Sequence, residues 1–126
     1  MTEYDLTDKD IQIISSCLSH CYRLIELDDT SKFAEKCKQG NITVKNMKDL
    51  ENKITTQNDE RNYRWEMTDI DLTDKDVQII ISILRYCSGL QFLDDRLAED
   101  LKQKHMTFDN VIQLENKITT QTEKIK

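Results

Sequence analysis

MTEYDLTDKDIQIISSCL, residues 1–18, returns as MTDIDLTDKDVQIIISIL, residues 67–84. Extended outward from this match, the two halves align as far as Gln57 and Gln121 with one two-residue gap at Thr30 and Ser31, and 32 of 55 aligned positions are identical. The similarity reaches back to Met1, matched by Met67, which is the pattern expected from fusion of two tandem copies of one small gene. Residues 58–66, NDERNYRWE, are read as the linker between repeat 1 (residues 1–57) and repeat 2 (residues 67–126).

Each copy reads as three helices. Thr7 and Thr73 stand at N-cap positions, where a hydroxyl accepts from the amide three residues on, and Asp8, Asp10, Asp74 and Asp76 place carboxylates at the positive helix end. Behind the first cap, Ile11, Ile14, Leu18, Cys21 and Ile25 fall at three- and four-residue steps, with Ile13, Cys17, Leu24 and Leu27 as a second stripe. A short second helix is expected through Phe33, Ala34 and Cys37. Gly40 suits the left-handed position after it, but Lys104 occupies the equivalent place, so Asn41 or His105 is the other choice. Thr43 and Thr107 open the third helix, with Met47, Leu50 and Ile54 on one face and Val111, Leu114 and Ile118 on the matching one.

With no proline and two glycines in 126 residues, the chain lacks the punctuation of β-hairpins, and an all-α fold is expected. A unit of about 55 residues buries only about 60% of its surface and needs a partner. Two three-helix units packed as a pseudo-two-fold dimer within one chain, one compact six-helix domain and a monomer in solution, follow as the expectation. The net charge of −6 argues against direct nucleic-acid binding. Apolar runs are short and the first residues lack a secretory pattern, so no membrane partner is expected and the protein is read as cytoplasmic.

Four cysteines and two histidines raise the question of a metal, since Cys17 and Cys21 lie one turn apart beside His20. Repeat 2 places Ile83 at the position of Cys17, Leu101 at that of Cys37 and Tyr86 at that of His20, and only Cys21 recurs, as Cys87. The cysteines therefore read as core, with no metal and no cofactor. Asp5, Asp8 and Asp10 superficially match a calcium loop, but the glycine at its sixth position and the glutamate at its twelfth are missing, and helix capping accounts for the run. No nucleophile and base pair, G-x-S-x-G or H-E-x-x-H is present, and the chain is read as not an enzyme.

Surface recognition remains. Tyr63 and Trp65, flanked by Arg61 and Arg64, are the residue types of binding hot spots, and in an extended segment both rings would point to one side. The same rings could instead close over the seam between the halves as a clasp. Identity also clusters in DLTDKD (residues 5–10 and 71–76) and LENKITTQ (residues 50–57 and 114–121). Asp8, Asp10, Asp74 and Asp76 thus form a second candidate surface, used once per half, unless the duplication is recent and the clustering is chance.

The run L-T-D-K-D-[IV]-Q-I-I, Leu6 to Ile14 and Leu72 to Ile80, with short helices behind it, resembles small all-helical accessory proteins of bacteriophages and mobile elements of Gram-positive bacteria. That resemblance implies a non-catalytic module that binds a protein target, such as an inhibitor of a host protein or of a defence system. The alternative is a helical ligand- or metal-binding module using a pocket between the repeats.

Overall fold

The computed structural model describes residues 2–27, 30, 32–64, 70–89, 99, 102, 103 and 107–125. In chain order the elements are β1 (Thr2–Tyr4), α1 (Asp8–Leu27), α2 (Lys32–Gln39), α3 (Val44–Arg64), β2 (Ile70–Leu72), α4 (Asp74–Gly89) and α5 (Phe108–Ile125). The expected second helix of repeat 2 falls mostly outside the described residues, so five of the six expected helices are described in full.

Helix starts follow the sequence closely. Four of them are closed by reciprocal pairs in which a threonine hydroxyl accepts from the amide three residues on, and that residue's side chain accepts from the threonine amide. The pairs are Thr7 with Asp10, Thr43 with Asn46, Thr73 with Asp76 and Thr107 with Asn110, at 2.9–3.3 Å. Each satisfies donors that the first helical turn leaves open.

The end of α2 decides between the two residues that the sequence offers for the turn. Asn41, with φ 57°, takes the left-handed position, whereas Gly40 has an ordinary backbone. The Ile42 amide donates to the Cys37 carbonyl at 2.7 Å and the Asn41 amide to Lys38 at 3.1 Å, which is the Schellman pattern with Asn41 at its left-handed residue. The Lys75 ammonium from α4 then reaches across to the carbonyls of Gly40 and Asn41, each at 2.9 Å. A Cβ at Gly40 would lie 3.3 Å from Nε2 of the exposed Gln78 side chain, a tight contact that a small shift of that side chain relieves.

Helix α1 packs on α3, α4 packs on α5, and α1 meets α4. One core runs through both halves: Ile11, Ile14, Cys17, Leu18 and Cys21 of α1, Met47, Leu50 and Ile54 of α3, Ile80, Ile83, Leu84 and Cys87 of α4, and Val111, Leu114 and Ile118 of α5 are all buried. Leu27 departs from the expected stripe and is 77% exposed in the last turn of α1.

Two short strands were not expected. β1 and β2 pair antiparallel, with Thr2 opposite Leu72, Glu3 opposite Asp71 and Tyr4 opposite Ile70. Tyr4, Leu6, Ile70 and Leu72 point inward and are buried, at the two-residue alternation of a strand with one wet face. The two strands come from opposite halves, so no tight turn joins them and the scarcity of glycine and proline does not prevent their pairing. Residues 58–64, expected as linker, continue α3 as helix to Arg64.

Candidate functional site

The two polar blocks that recur in both halves meet each other. Lys53 on α3 donates to Asp76 at the start of α4 (2.5 Å), and Lys117 on α5 donates to Asp10 at the start of α1 (2.6 Å). One turn further along, Gln57 accepts from the Asp71 amide at 2.9 Å and donates to the Asp71 carbonyl at 3.2 Å. Gln121 treats Asp5 in the same way, at 2.9 and 3.3 Å. Thus the third helix of each half, through LENKITTQ, holds the DLTDKD segment of the other. Lysine and carboxylate here are only partly exposed, and each carboxylate also caps its own helix, so the geometry is fixed from two sides.

This arrangement reassigns Asp10 and Asp76. Both are expected on a partner-binding surface, but one carboxylate oxygen of each, Oδ2, accepts from a threonine amide and from a lysine within the fold. Burial alone would push the Asp76 carboxyl up. The Lys53 ammonium and the Thr73 amide and hydroxyl outweigh that and hold it below the usual carboxylate range. Asp8 is more open, with its side chain 58% exposed, and accepts from Asn62 at 3.2 Å and from Arg61 at 3.5 Å. Asp74 is exposed.

Arg61 is likewise structural. Its side chain is only 11% exposed, and it donates to the Leu6 carbonyl at 2.7 Å and to Asn58 Oδ1 at 2.5 Å while facing Asp8. It straps the end of α3 to the segment between β1 and α1. Tyr63, two residues on, is 87% exposed, so its ring is not buried against the rest of the fold as a clasp over the seam would have it. Arg64 ends α3, and Trp65 lies outside the described residues.

The thiols occupy the core. All four cysteines are buried and none is joined in a disulfide, and burial pushes the Cys37 thiol up. Among the described residues no group of three or more histidine, cysteine, aspartate or glutamate side chains could hold one metal ion. Where α1 meets α4, Cys21 and Cys87 stand sulfur to sulfur at 3.8 Å, both fully buried. An open groove of about 280 Å³ does cross the halves, between Lys9 and Ile13 of α1 and Asn110 and Gln113 of α5. A larger one of about 440 Å³ lies between α1 and α3, floored by Ile11 and edged by Gln12, Thr55 and Asn58. No helix among the described residues is long and apolar enough to cross a membrane.

The outer faces of the halves differ. In the first, Lys48 pairs with Glu26 at 2.8 Å and lies 5.2 Å from the centre of the Tyr22 ring. The equivalent of Lys48 is Ile112, which is 38% exposed, and the equivalents of Glu26 and Tyr22 are Phe92 and Ser88. Between the first and third helices of each half, Ser19 donates to Glu51 at 2.8 Å, and Arg85 donates to the matching Glu115 at 2.6 Å.

Sequence reading missed Gln57, Gln121, Lys53 and Lys117 as contacts between the halves. The signal is present as identity at polar positions, which the sequence alone does not separate from an outward-facing surface. No protein-family model matches the chain, and neither a curated protein nor a solved structure is significantly similar to it.

Proposed function

We propose that the chain is two copies of a three-helix unit packed as a pseudo-two-fold dimer within one polypeptide, and that it works as a non-catalytic protein-interaction module. Supporting the first part, two kinds of polar contact between the halves each occur twice with equivalent residues: Lys53 to Asp76 and Lys117 to Asp10, Gln57 to Asp71 and Gln121 to Asp5. Tyr4 and Ile70, which hold the same place in their repeats, face one another at one end of the described ladder, and Cys21 meets its own counterpart Cys87. An antiparallel pair in which equivalent positions face one another is what a two-fold relation requires.

The observation that carries the second part is Tyr63. A tyrosine 87% exposed on the last turn of a helix, with Arg64 beside it and Trp65 next in sequence, offers aromatic area that the fold itself does not use. Asp8 and Asp74 add exposed carboxylates at two helix starts. A phage or mobile-element inhibitor of a host protein or defence system is the form of this activity that the resemblance of residues 6–14 implies.

Capture from a lysate of the organism that carries the gene tests the reading, using tagged wild type beside Tyr63→Ala and Trp65→Ala. Loss of a specifically captured protein by variants with an unchanged melting midpoint supports it. Equal capture by all three moves the contact surface away from this helix end.

A further inference from the structure

Cysteine recurs in the two halves at one place only, positions 21 and 87, and there the two side chains touch. Both are fully buried where α1 crosses α4, with sulfurs 3.8 Å apart. A disulfide needs the sulfurs at about 2.05 Å, so a closing movement of about 1.8 Å, shared between two side chains, separates contact from bond. At the matching positions of Cys17 and Cys37 the second half carries Ile83 and Leu101, so neither has an equivalent thiol to meet.

We propose that Cys21 and Cys87 form an intrachain disulfide when the protein meets a two-electron oxidant such as hydrogen peroxide, joining α1 to α4 and thereby one half of the chain to the other. In the first step one thiolate sulfur attacks a peroxide oxygen, the O–O bond breaks, and the departing hydroxide takes up the thiol's proton as water. The resulting sulfenic acid is attacked by the second thiol's sulfur; the S–S bond forms, the S–O bond breaks, and a second water leaves with the second thiol's proton. Each sulfur gives up one electron and the peroxide is reduced to two waters. Because neither thiol touches solvent, the oxidant reaches them only when the contact between α1 and α4 opens locally, and the reaction is slow compared with that of an exposed thiol.

The test oxidises the folded full-length chain with hydrogen peroxide, alkylates remaining thiols in denaturant and weighs the product. Two of the four thiols are expected to resist alkylation, with the chain about 2 Da lighter from the lost hydrogens, and dithiothreitol restores all four. The Cys17→Ala/Cys37→Ala variant, which retains only the pair, gives the same crosslink, and Cys21→Ser abolishes it. The oxidised chain melts several degrees higher, and reduction reverses the shift. Should a variant fail to fold, fragmentation of the wild-type crosslinked peptides decides, since they either join position 21 to position 87 or do not. A bond elsewhere, a bond between chains, sulfinic acid without a crosslink, or four alkylatable thiols after a treatment that oxidises the urea-unfolded chain overturns the proposal.

Discussion

Gln57 grips the backbone of Asp71 from both sides, accepting from its amide at 2.9 Å and donating to its carbonyl at 3.2 Å. A side-chain amide is the one group that copies a peptide's paired donor and acceptor, so Gln57 acts as a rung added beside the short ladder of β1 and β2. Gln121 adds the other rung, on Asp5.

Gln57→Ala leaves two partly buried backbone groups without this partner, and a loss of about 1–2 kcal/mol in urea unfolding is expected. Gln121→Ala costs less, because its contacts to Asp5 are exposed to water. Gln57→Glu keeps the acceptor and loses the donor, and falls between wild type and Gln57→Ala or below both, since a second carboxylate oxygen then faces the Asp71 carbonyl. A Gln57→Ala chain as stable as wild type contradicts the role.

Asp76 sets an acid limit on the contact between the halves. Its folded-state pKa lies below the usual aspartate value of about 3.9, so the ionised form stabilises the fold at pH values above that, and the contribution disappears as pH falls through the lowered value. Asp76→Asn removes this dependence. The gap in urea midpoint between wild type and Asp76→Asn is therefore largest at neutral pH and narrows below about pH 4. A gap that stays constant from pH 7 to pH 2.5 contradicts the pairing with Lys53.

Much of this fold is written locally. Thr7, Thr43, Thr73 and Thr107 announce their helices because a cap involves residues three apart, and the stripe Ile11, Ile14, Leu18 and Cys21 is buried as its spacing requires. What escaped the sequence depends on contacts between residues far apart. The strands, T-E-Y and I-D-L, are three residues each, find their partners in the other half and are too short to stand out. Residues 58–64 are polar and outside the repeat, which suggested a linker, yet Arg61 finds the Leu6 carbonyl and the helix runs on. Asp10 and Asp76 looked like surface because the lysines that neutralise them lie more than twenty residues away in one case and more than a hundred in the other.

Asn41 carries a conformation that most residues adopt at a cost. Replacing it with alanine introduces the left-handed penalty and lowers stability by about 1 kcal/mol, whereas Asn41→Gly is neutral or slightly stabilising. Thermal unfolding of the two variants checks the sign. Lys75→Ala, which releases the Gly40 and Asn41 carbonyls, destabilises in the same direction without altering the backbone preference.

Residues 1–64 on their own contain both sides of every polar contact that repeats across the halves: Asp5 with Gln57, Asp10 with Lys53, and Cys21 facing itself. A second copy of the segment can supply whatever the missing half supplied, with Tyr4 opposite Tyr4 where Tyr4 now faces Ile70. Expressed alone and carried to position 64 so that Arg61 keeps its hold on Leu6, the segment is expected to be a helical homodimer by sedimentation, losing helicity as it dissociates on dilution. A folded monomer at micromolar concentration contradicts this. Gln57→Ala sharpens the test: in the full chain it removes one clamp and leaves Gln121 in place, but in the homodimer it removes both clamps on Asp5, so its cost per folded particle should be about twice that of Gln121→Ala in the full chain if the two clamps act independently.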